Sequence, residues 1–99
     1  MAYTVPMEFE WDEGKSDDCF VQRGFDFNFA IRAFLDPNRV VQIDRRWDYG
    51  EDRYRLLGSI ERRHFIVIYT MRGSVIRIIS ARKANRKEVR GYEQDARQD

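Results

Sequence analysis

The residues of this sequence best suited to chemistry are cations that recur through its second half. Between very apolar stretches, residues 62–90 present a series of arginines and lysines. The cations singled out are Arg62, Arg63, Arg72, Arg77, Arg82, Lys83, Arg86 and Lys87. Guanidinium groups remain charged and bind phosphate oxygens in a two-pronged way, and ammonium groups bind them as point charges. The series therefore predicts a basic surface for a phosphate-rich partner.

Charge is strongly segregated along the chain, although the formal net charge is only +1. Residues 62–90 carry nine basic side chains and one acidic side chain, whereas residues 1–61 carry eight basic and 13 acidic ones. This asymmetry favours a polyanion on one side and a cationic or amphipathic partner elsewhere. A solvated charged face would give the same composition.

Length and composition predict one domain, spanning residues 1–99, with 42% hydrophobic residues to form a core. The single cysteine, Cys19, excludes an intramolecular disulfide and is expected to be a buried small hydrophobe. No leader pattern opens the sequence, and the longest apolar run, Phe65 to Met71, is too short for a membrane helix. We therefore expect a cytoplasmic protein without membrane association.

Hydrophobic periodicity and capping residues predict eight elements in the order β-α-α-β-β-β-β-α. They are the strand Glu8–Trp11, the helix Glu13–Arg23 between the caps Asp12 and Gly24, a helix after Asp26 that ends at Asp36-Pro37, the strands Val40–Ile43, Tyr54–Ile60 and Phe65–Met71, a fifth strand containing Arg77, and a helix from Arg86 to about Ala96. This order predicts an α+β domain: a small, mostly antiparallel sheet with two N-terminal helices and one C-terminal helix.

Two hairpins are expected in the second half. Residues 61–63 would connect the third and fourth strands, and a two-residue turn at Arg72-Gly73 would connect the fourth and fifth. The second turn places Arg77 opposite Ile68, and His64 opposite Ala81. A cation among apolar neighbours must lie at a sheet border, be paired, or serve a ligand.

The last helix begins with a predicted capping box, in which Asn85 and Glu88 satisfy each other's backbone N–H groups. Arg86 and Lys87 fall in its first turn, where the helix dipole disfavours cations and favours a bound anion. Their placement suggests anion binding, although a contribution to solubility also explains it.

Several motifs resemble those of the BrnT family between about Met7 and Glu93. They are Phe9-Glu-Trp-Asp12 with Lys15, Gly24-Phe-Asp-Phe27, Asp36-Pro37, Asp48-Tyr-Gly-Glu51, Tyr69-Thr-Met-Arg-Gly73 and Ile76-Arg-Ile-Ile-Ser-Ala-Arg-Lys-Ala84 with Glu88 and Tyr92. The last block is specific enough to make chance a poor explanation. Two histidines common in the family are replaced here by Arg23 and Trp47.

The resemblance implies a type II toxin with a RelE-like fold, which blocks translation by cutting RNA. It also implies a BrnA antitoxin with a DNA-binding ribbon-helix-helix portion, and therefore a hetero-oligomer. Two alternatives remain open. One is a catalytically impaired BrnT-like protein that binds its antitoxin and co-represses its operon, and the other is an RNA-binding domain without a partner.

Metal-free RNA cleavage requires a base for the 2′-hydroxyl, charge stabilisation in the transition state and an acid for the leaving 5′-oxygen. In the best-matching block, Arg77 and Arg82, with Lys83 beside them, are the candidates for charge stabilisation. Glu51 is a candidate base, and Lys15 a candidate acid or phosphate clamp. The only histidine, His64, is more consistent with a structural role, and we expect a ribosome or folded RNA to orient the substrate.

The other cations are expected to bind the RNA backbone; they are Arg62, Arg63, Arg72, Arg86 and Lys87. One histidine, one cysteine and carboxylates without ligand spacing predict neither a metal site nor a cofactor. Four tyrosines could stack on unpaired bases, although core packing also accounts for their positions. They are Tyr49, Tyr54, Tyr69 and Tyr92.

Overall fold

The computed structural model describes residues 7–45 and 50–97, with side chains up to Gln94. Its elements are β1 (Glu8–Trp11), α1 (Glu13–Arg23), α2 (Phe27–Ala30) with a 3₁₀ helix (Ile31–Leu35), β2 (Val40–Ile43), β3 (Tyr54–Ile60), β4 (Arg63–Arg72), β5 (Val75–Lys83) and α3 (Arg86–Arg97). The predicted α+β class and element order are confirmed. Trp47 and Tyr49 lie outside the described residues.

The described strands form one five-stranded sheet in the order β1-β5-β4-β3-β2. The pairs β2–β3, β3–β4 and β4–β5 are antiparallel, as the hairpin pattern predicts. In contrast, β1 joins the other edge in parallel with β5, with Phe9 opposite Ile76. A parallel neighbour requires a long crossover, and here the chain from α1 to β4 supplies it.

Both predicted caps of α1 are confirmed. The Asp12 side chain accepts a hydrogen bond from the Lys15 backbone N–H at 3.0 Å, and Gly24 ends the helix with φ of 84°. Asp26 likewise caps α2 by accepting from the Phe29 N–H at 2.9 Å. The prediction of one regular second helix is wrong, because after four residues the chain tightens into the 3₁₀ helix. That segment packs directly on β3 through the fully buried Ala33.

Glycine is required at position 58 because the 3₁₀ helix approaches β3 closely there. A Cβ atom added to Gly58 would lie 2.6 Å from the Ala33 carbonyl oxygen. We expect Gly58→Ala to destabilise the fold by about 1–3 kcal/mol, since backbone must move to relieve the contact. Gly91→Ala is the control, because an added Cβ on that exposed α3 residue meets no atom within 4 Å. Equal unfolding midpoints in urea for the two variants would contradict this explanation.

The first hairpin is tighter than predicted. Glu61 and Arg62 alone form the turn, with φ of 51° and 70°, and Ile60 pairs with Arg63. Positive φ at both central residues matches a type I′ turn, whose twist suits a hairpin. Arg63 is consequently the first residue of β4 rather than part of the turn.

The predicted register of the second hairpin is wrong. Arg72 pairs with Val75, so that the turn consists of Gly73 and Ser74, with Gly73 at φ of 61°. Glycine is favoured where the first central residue of a hairpin turn needs positive φ. Arg77 therefore faces Thr70, not Ile68.

A β-bulge shifts this register again between Ile68 and Tyr69. Beyond it, Ile66 pairs with Arg82 and Phe65 with Lys83. His64 does not face Ala81 as predicted; its carbonyl accepts from the Ala84 N–H at 2.9 Å.

The sheet has apolar clusters on both faces. The larger cluster lies beneath α1 and α2 on what we call the helical face, and includes Phe27, Phe34, Leu56, Val67 and Ile78. The smaller cluster lies beneath α3 on what we call the α3 face, and includes Leu57, Ile66, Ile68 and Tyr92. Within the described part of the chain, no helix is long and apolar enough to span a membrane.

Candidate functional site

Three arginines lie on the α3 face, around the side chain of Ile68. Arg55 on β3 pairs with Ile68 itself, whereas Arg77 and Arg82 on β5 pair with Thr70 and Ile66. Because β4 lies between the two outer strands, strand spacing and rise place the three Cα atoms about 12 Å apart. We call this set the arginine triangle. The triangle presents three guanidinium groups on one face of the sheet, where they can bind phosphate oxygens.

Glu88 on α3 links two corners of the triangle. Its carboxylate accepts two hydrogen bonds from Arg82, each at 2.8 Å, and another from Arg55. The predicted capping box is also confirmed, since Glu88 and Asn85 exchange side-chain to backbone hydrogen bonds at 2.9 Å. The Arg82 hydrogen bonds, followed by those from Asn85 and Arg55, outweigh burial and lower the pKa of Glu88 to about 2. Glu88 is therefore ionised at neutral pH and a poor general base.

The low pKa of Glu88 makes the free energy of unfolding depend on pH in the acidic range. Because its pKa lies below the ordinary 4.5, the unfolded state binds the proton more tightly than the folded state. Its contribution, roughly 3 kcal/mol, is complete above about pH 4.5 and is lost as the pH falls towards 2. Urea unfolding across this range should show the loss, and Glu88→Gln should flatten the profile. An unchanged profile in that variant would contradict the assignment.

Arg77 occupies the third corner and forms an ion pair with its cross-strand neighbour Glu10. Its guanidinium lies 3.2 Å from the Glu10 carboxylate on β1, and 28% of its side chain is exposed. Of the three explanations open for a cation at this position, pairing is observed, whereas a border position is not, because β1 and β4 flank Arg77 on both sides. The exposed fraction leaves the guanidinium accessible to a phosphate.

A hydrogen-bonded cluster beside the Arg82 corner fixes α3 to the sheet. The buried Asp36 carboxylate accepts from the Ser59 N–H at 2.8 Å, the Asn38 N–H at 2.9 Å and the Tyr92 hydroxyl at 2.8 Å. Although burial raises the pKa of Asp36, these hydrogen bonds lower it overall. Burial, together with Asp36, raises the pKa of Tyr92 to about 12, so its hydroxyl keeps its proton at neutral pH.

The sole histidine packs against this cluster. The His64 ring lies edge-on to the Tyr92 ring, with centroids 4.7 Å apart, and its side chain is half-buried. His64 is two residues from Ile66 on the same face, which places it next to the Arg82 corner. An imidazole is thus available for proton transfer beside the triangle.

The other predicted cations fall into separate groups. Lys83 follows Arg82 but faces the helical side, where it lines a pocket of about 330 Å³ with Arg63 and Arg23. Arg62 lies in the adjacent turn, and Arg86 and Lys87 are exposed in the first turn of α3. The predicted grouping of Lys83 with Arg77 and Arg82 is thus divided between two faces of the sheet.

The remaining candidates lie away from the Arg82 corner. Arg72, at the far end of β4, is about 30 Å from Arg63, and its guanidinium is 4.0 Å from Glu51. Glu51 also lies 3.7 Å from Arg53. Lys15 is exposed on α1 and lines a different pocket beside β5. Glu51 and Lys15 therefore do not share one site with the whole triangle.

Comparison with protein-family models shows to which family this chain belongs. A family model described as the ribonuclease toxin BrnT of type II toxin-antitoxin systems matches residues 11–88. The chain belongs to the BrnT family. No match was found among curated proteins. Membership of the BrnT family implies an antitoxin as partner and RNA as target, and the matched span contains all three corners of the triangle and Glu88.

Sequence reasoning missed Arg55 and assigned Glu88 only a capping role. Arg55 could have been identified, because side chains alternate between the two faces of a strand and Arg55 therefore lies on the same face as Leu57. The contact between Arg55 and Glu88 spans 33 residues and follows from the packing of α3, which local patterns do not specify.

Other side chains considered from the sequence have structural contacts. Cys19 is 3% exposed, and burial raises the pKa of its thiol, as suits an unreactive cysteine. Tyr54 and Tyr69 stack on each other with ring centroids 5.3 Å apart. Among the described residues, no three histidine, cysteine or acidic side chains are placed to hold a metal ion.

Proposed function

We propose that this protein is a cytoplasmic, metal-independent endoribonuclease toxin that inhibits translation by cutting RNA. The observation that carries the proposal is the arginine triangle on the α3 face, with side chains of Arg55, Arg77 and Arg82 that are all partly exposed. Fixed guanidinium groups suit a reaction whose transition state gathers negative charge on phosphate oxygens.

In the proposed mechanism the scissile phosphate binds at the Arg82 corner, within reach of His64. Glu88 already holds the Arg82 guanidinium in the forked geometry that a phosphate uses. The carboxylate thus orients the arginine, and the phosphate takes over or shares its hydrogen bonds. The 2′-oxygen attacks the phosphorus while the bond to the 5′-oxygen breaks, which leaves a 2′,3′-cyclic phosphate and a 5′-hydroxyl. His64 takes the proton of the 2′-hydroxyl or gives one to the 5′-oxygen, and water carries the other proton. Because one imidazole serves only one of these positions at a time, the ribosome or a folded RNA supplies further orientation.

A BrnA-type antitoxin with a ribbon-helix-helix DNA-binding portion is the proposed partner. Family membership implies an antitoxin, and the acidic excess of residues 1–61, which carry 13 of the 17 acidic side chains, complements a basic segment of such a partner. We expect a hetero-oligomer in which the antitoxin inhibits the toxin and directs the complex to operator DNA.

Induced expression tests this function. We expect growth arrest within a few generations, new 5′ ends in cellular transcripts by primer extension, and relief of both effects by co-expression of the antitoxin. The uninduced strain and a strain with the empty vector are the controls. Normal growth with unchanged transcript ends, at a verified level of soluble protein, would refute an active toxin.

A second candidate is a catalytically impaired protein that binds the antitoxin and co-represses the operon. The observation that favours it is the pairing of Glu88 with both Arg55 and Arg82, which neutralises part of the triangle. This candidate predicts no growth arrest, but tighter binding of the antitoxin to operator DNA when this chain is present.

A further inference from the structure

The pocket beside Lys83 is separate from the arginine triangle and has its own composition. It lies between the end of α1 and the adjoining ends of β4 and β5, with a volume of about 330 Å³. Aromatic rings and cations line it together. The rings are Phe20, Phe25, Phe29 and Phe65, and the cations are Arg23, Arg63 and Lys83. Its volume is within the range of small-ligand sites.

The cations of the pocket differ from those of the triangle in their pairing. Among the side chains that the structure describes, no carboxylate lies within ion-pair distance of Arg63 or Lys83, and both residues are exposed. The carboxylate lining the pocket, Asp26, is already used to cap α2. The pocket thus has excess positive charge, which complements an anion.

The aromatic lining of the pocket combines a buried floor with one exposed ring. Phe25 and Phe65 are buried edge-to-face with centroids 5.1 Å apart, and they form the floor. Phe20, in contrast, is 58% exposed at the rim, although Cys19 beside it is buried. A nucleic acid base can stack on such a ring whatever its sequence, with a typical contribution of about tenfold in affinity.

The pocket and the triangle are neighbours along β5, although they lie on opposite faces of the sheet. Pairing with β1 ends at Ile78, so the strand from Ile79 to Lys83 lies at the sheet edge. Arg82 and Lys83 are successive residues on this segment, with Arg82 on the α3 face and Lys83 in the pocket. An RNA strand that passes around this edge contacts both.

We propose that this pocket binds one unpaired nucleotide of the RNA, with the base stacked on Phe20 and the adjoining phosphate bound by Arg63 and Lys83. The proposal rests on the proposed function, because it assigns a subsite of the same substrate. An acidic segment of the antitoxin has the same charge but does not require a stacking surface, so the exposed ring favours a nucleotide.

The test is binding of a fluorescent 2′-O-methyl oligoribonucleotide, which lacks the nucleophilic hydroxyl, to the purified full chain by anisotropy. We expect Phe20→Ala to weaken binding about tenfold. Arg63→Gln and Lys83→Gln should each lower the slope of log affinity against log salt by about 0.7. The matched controls are Val21→Ala, which alters an 82% exposed neighbour, and Arg90→Gln, which removes an exposed cation of α3.

A series of oligonucleotides, each lacking the base at a different position, makes the test more specific. At one position, removing the base should weaken binding to the parent about tenfold and leave binding to the Phe20→Ala variant unchanged. Pocket variants that bind RNA like their controls would overturn the proposal while leaving a growth-arresting parent as a ribonuclease toxin. Pocket variants that bind RNA like the parent but no longer bind the antitoxin would also overturn the proposal, and would assign the pocket to the antitoxin. A parent that binds no RNA in this assay would overturn the subsite proposal, whereas the proposed function is judged separately by growth arrest and new transcript ends.

Discussion

Replacement of Arg82 by alanine is expected to lower the rate of RNA cleavage by about 100-fold or more. Among the side chains that the structure describes, two parallel hydrogen bonds to Glu88 hold the Arg82 guanidinium, so its orientation is fixed before substrate binds. Removing one preorganised donor to a developing oxyanion typically costs a factor of 100 to 1000. Single-turnover cleavage of a defined RNA, measured with excess protein, reports this change directly.

Two further variants separate catalysis from folding. Arg82→Lys keeps the charge but loses the forked geometry, and it should recover only a small part of the activity. Glu88 retains Arg55 and Asn85 in both variants, so each should unfold within about 2 kcal/mol of the parent. Parental cleavage rates in a folded Arg82→Ala variant would remove Arg82 from the proposed site.

Replacement of Asp36 by alanine is expected to cause the largest loss of stability, about 3 kcal/mol. The carboxylate is 9% exposed and accepts from two backbone N–H groups and the Tyr92 hydroxyl, which would all lose this partner. For a chain of this length, such a loss lowers the midpoint of thermal unfolding by roughly 15 °C. Circular dichroism during heating measures the midpoint.

Tyr92→Phe is the matched control for Asp36, because it removes one of the three hydrogen bonds and keeps the ring against His64. Its expected cost is about 1 kcal/mol. If both variants unfold at the same temperature as the parent, Asp36 does not hold α3 to the sheet. A larger loss for Tyr92→Phe than for Asp36→Ala would contradict the ranking.

Local signals in the sequence were sufficient for most of the fold. Caps act within three residues, so Asp12, Gly24 and the Asn85 box could be located from side-chain type alone. Short runs rich in apolar residues located β2 and β3 with their observed bounds. The family resemblance, carried by residues near β5, was confirmed by the match over residues 11–88.

Features that depend on distant contacts could not be predicted in the same way. The register of β4 with β5 depends on a turn displaced by one residue and on a bulge, and an error in either moves every later pairing. The predicted grouping of Arg82 with Lys83 failed for a local reason instead, because successive residues of a strand lie on opposite faces of the sheet whatever the register. The pairing of Glu88 with Arg55 depends on where α3 packs, which no local pattern encodes.

The most direct test of the central claim is cleavage of one defined RNA by the purified chain in a metal chelator, beside a variant in which Arg55, Arg77 and Arg82 are all alanine. We expect the parent to cut the RNA internally under these conditions and the folded triple variant to leave it intact. Cleavage at equal rates by both proteins, or cleavage by the parent only when a metal ion is added, would contradict the claim.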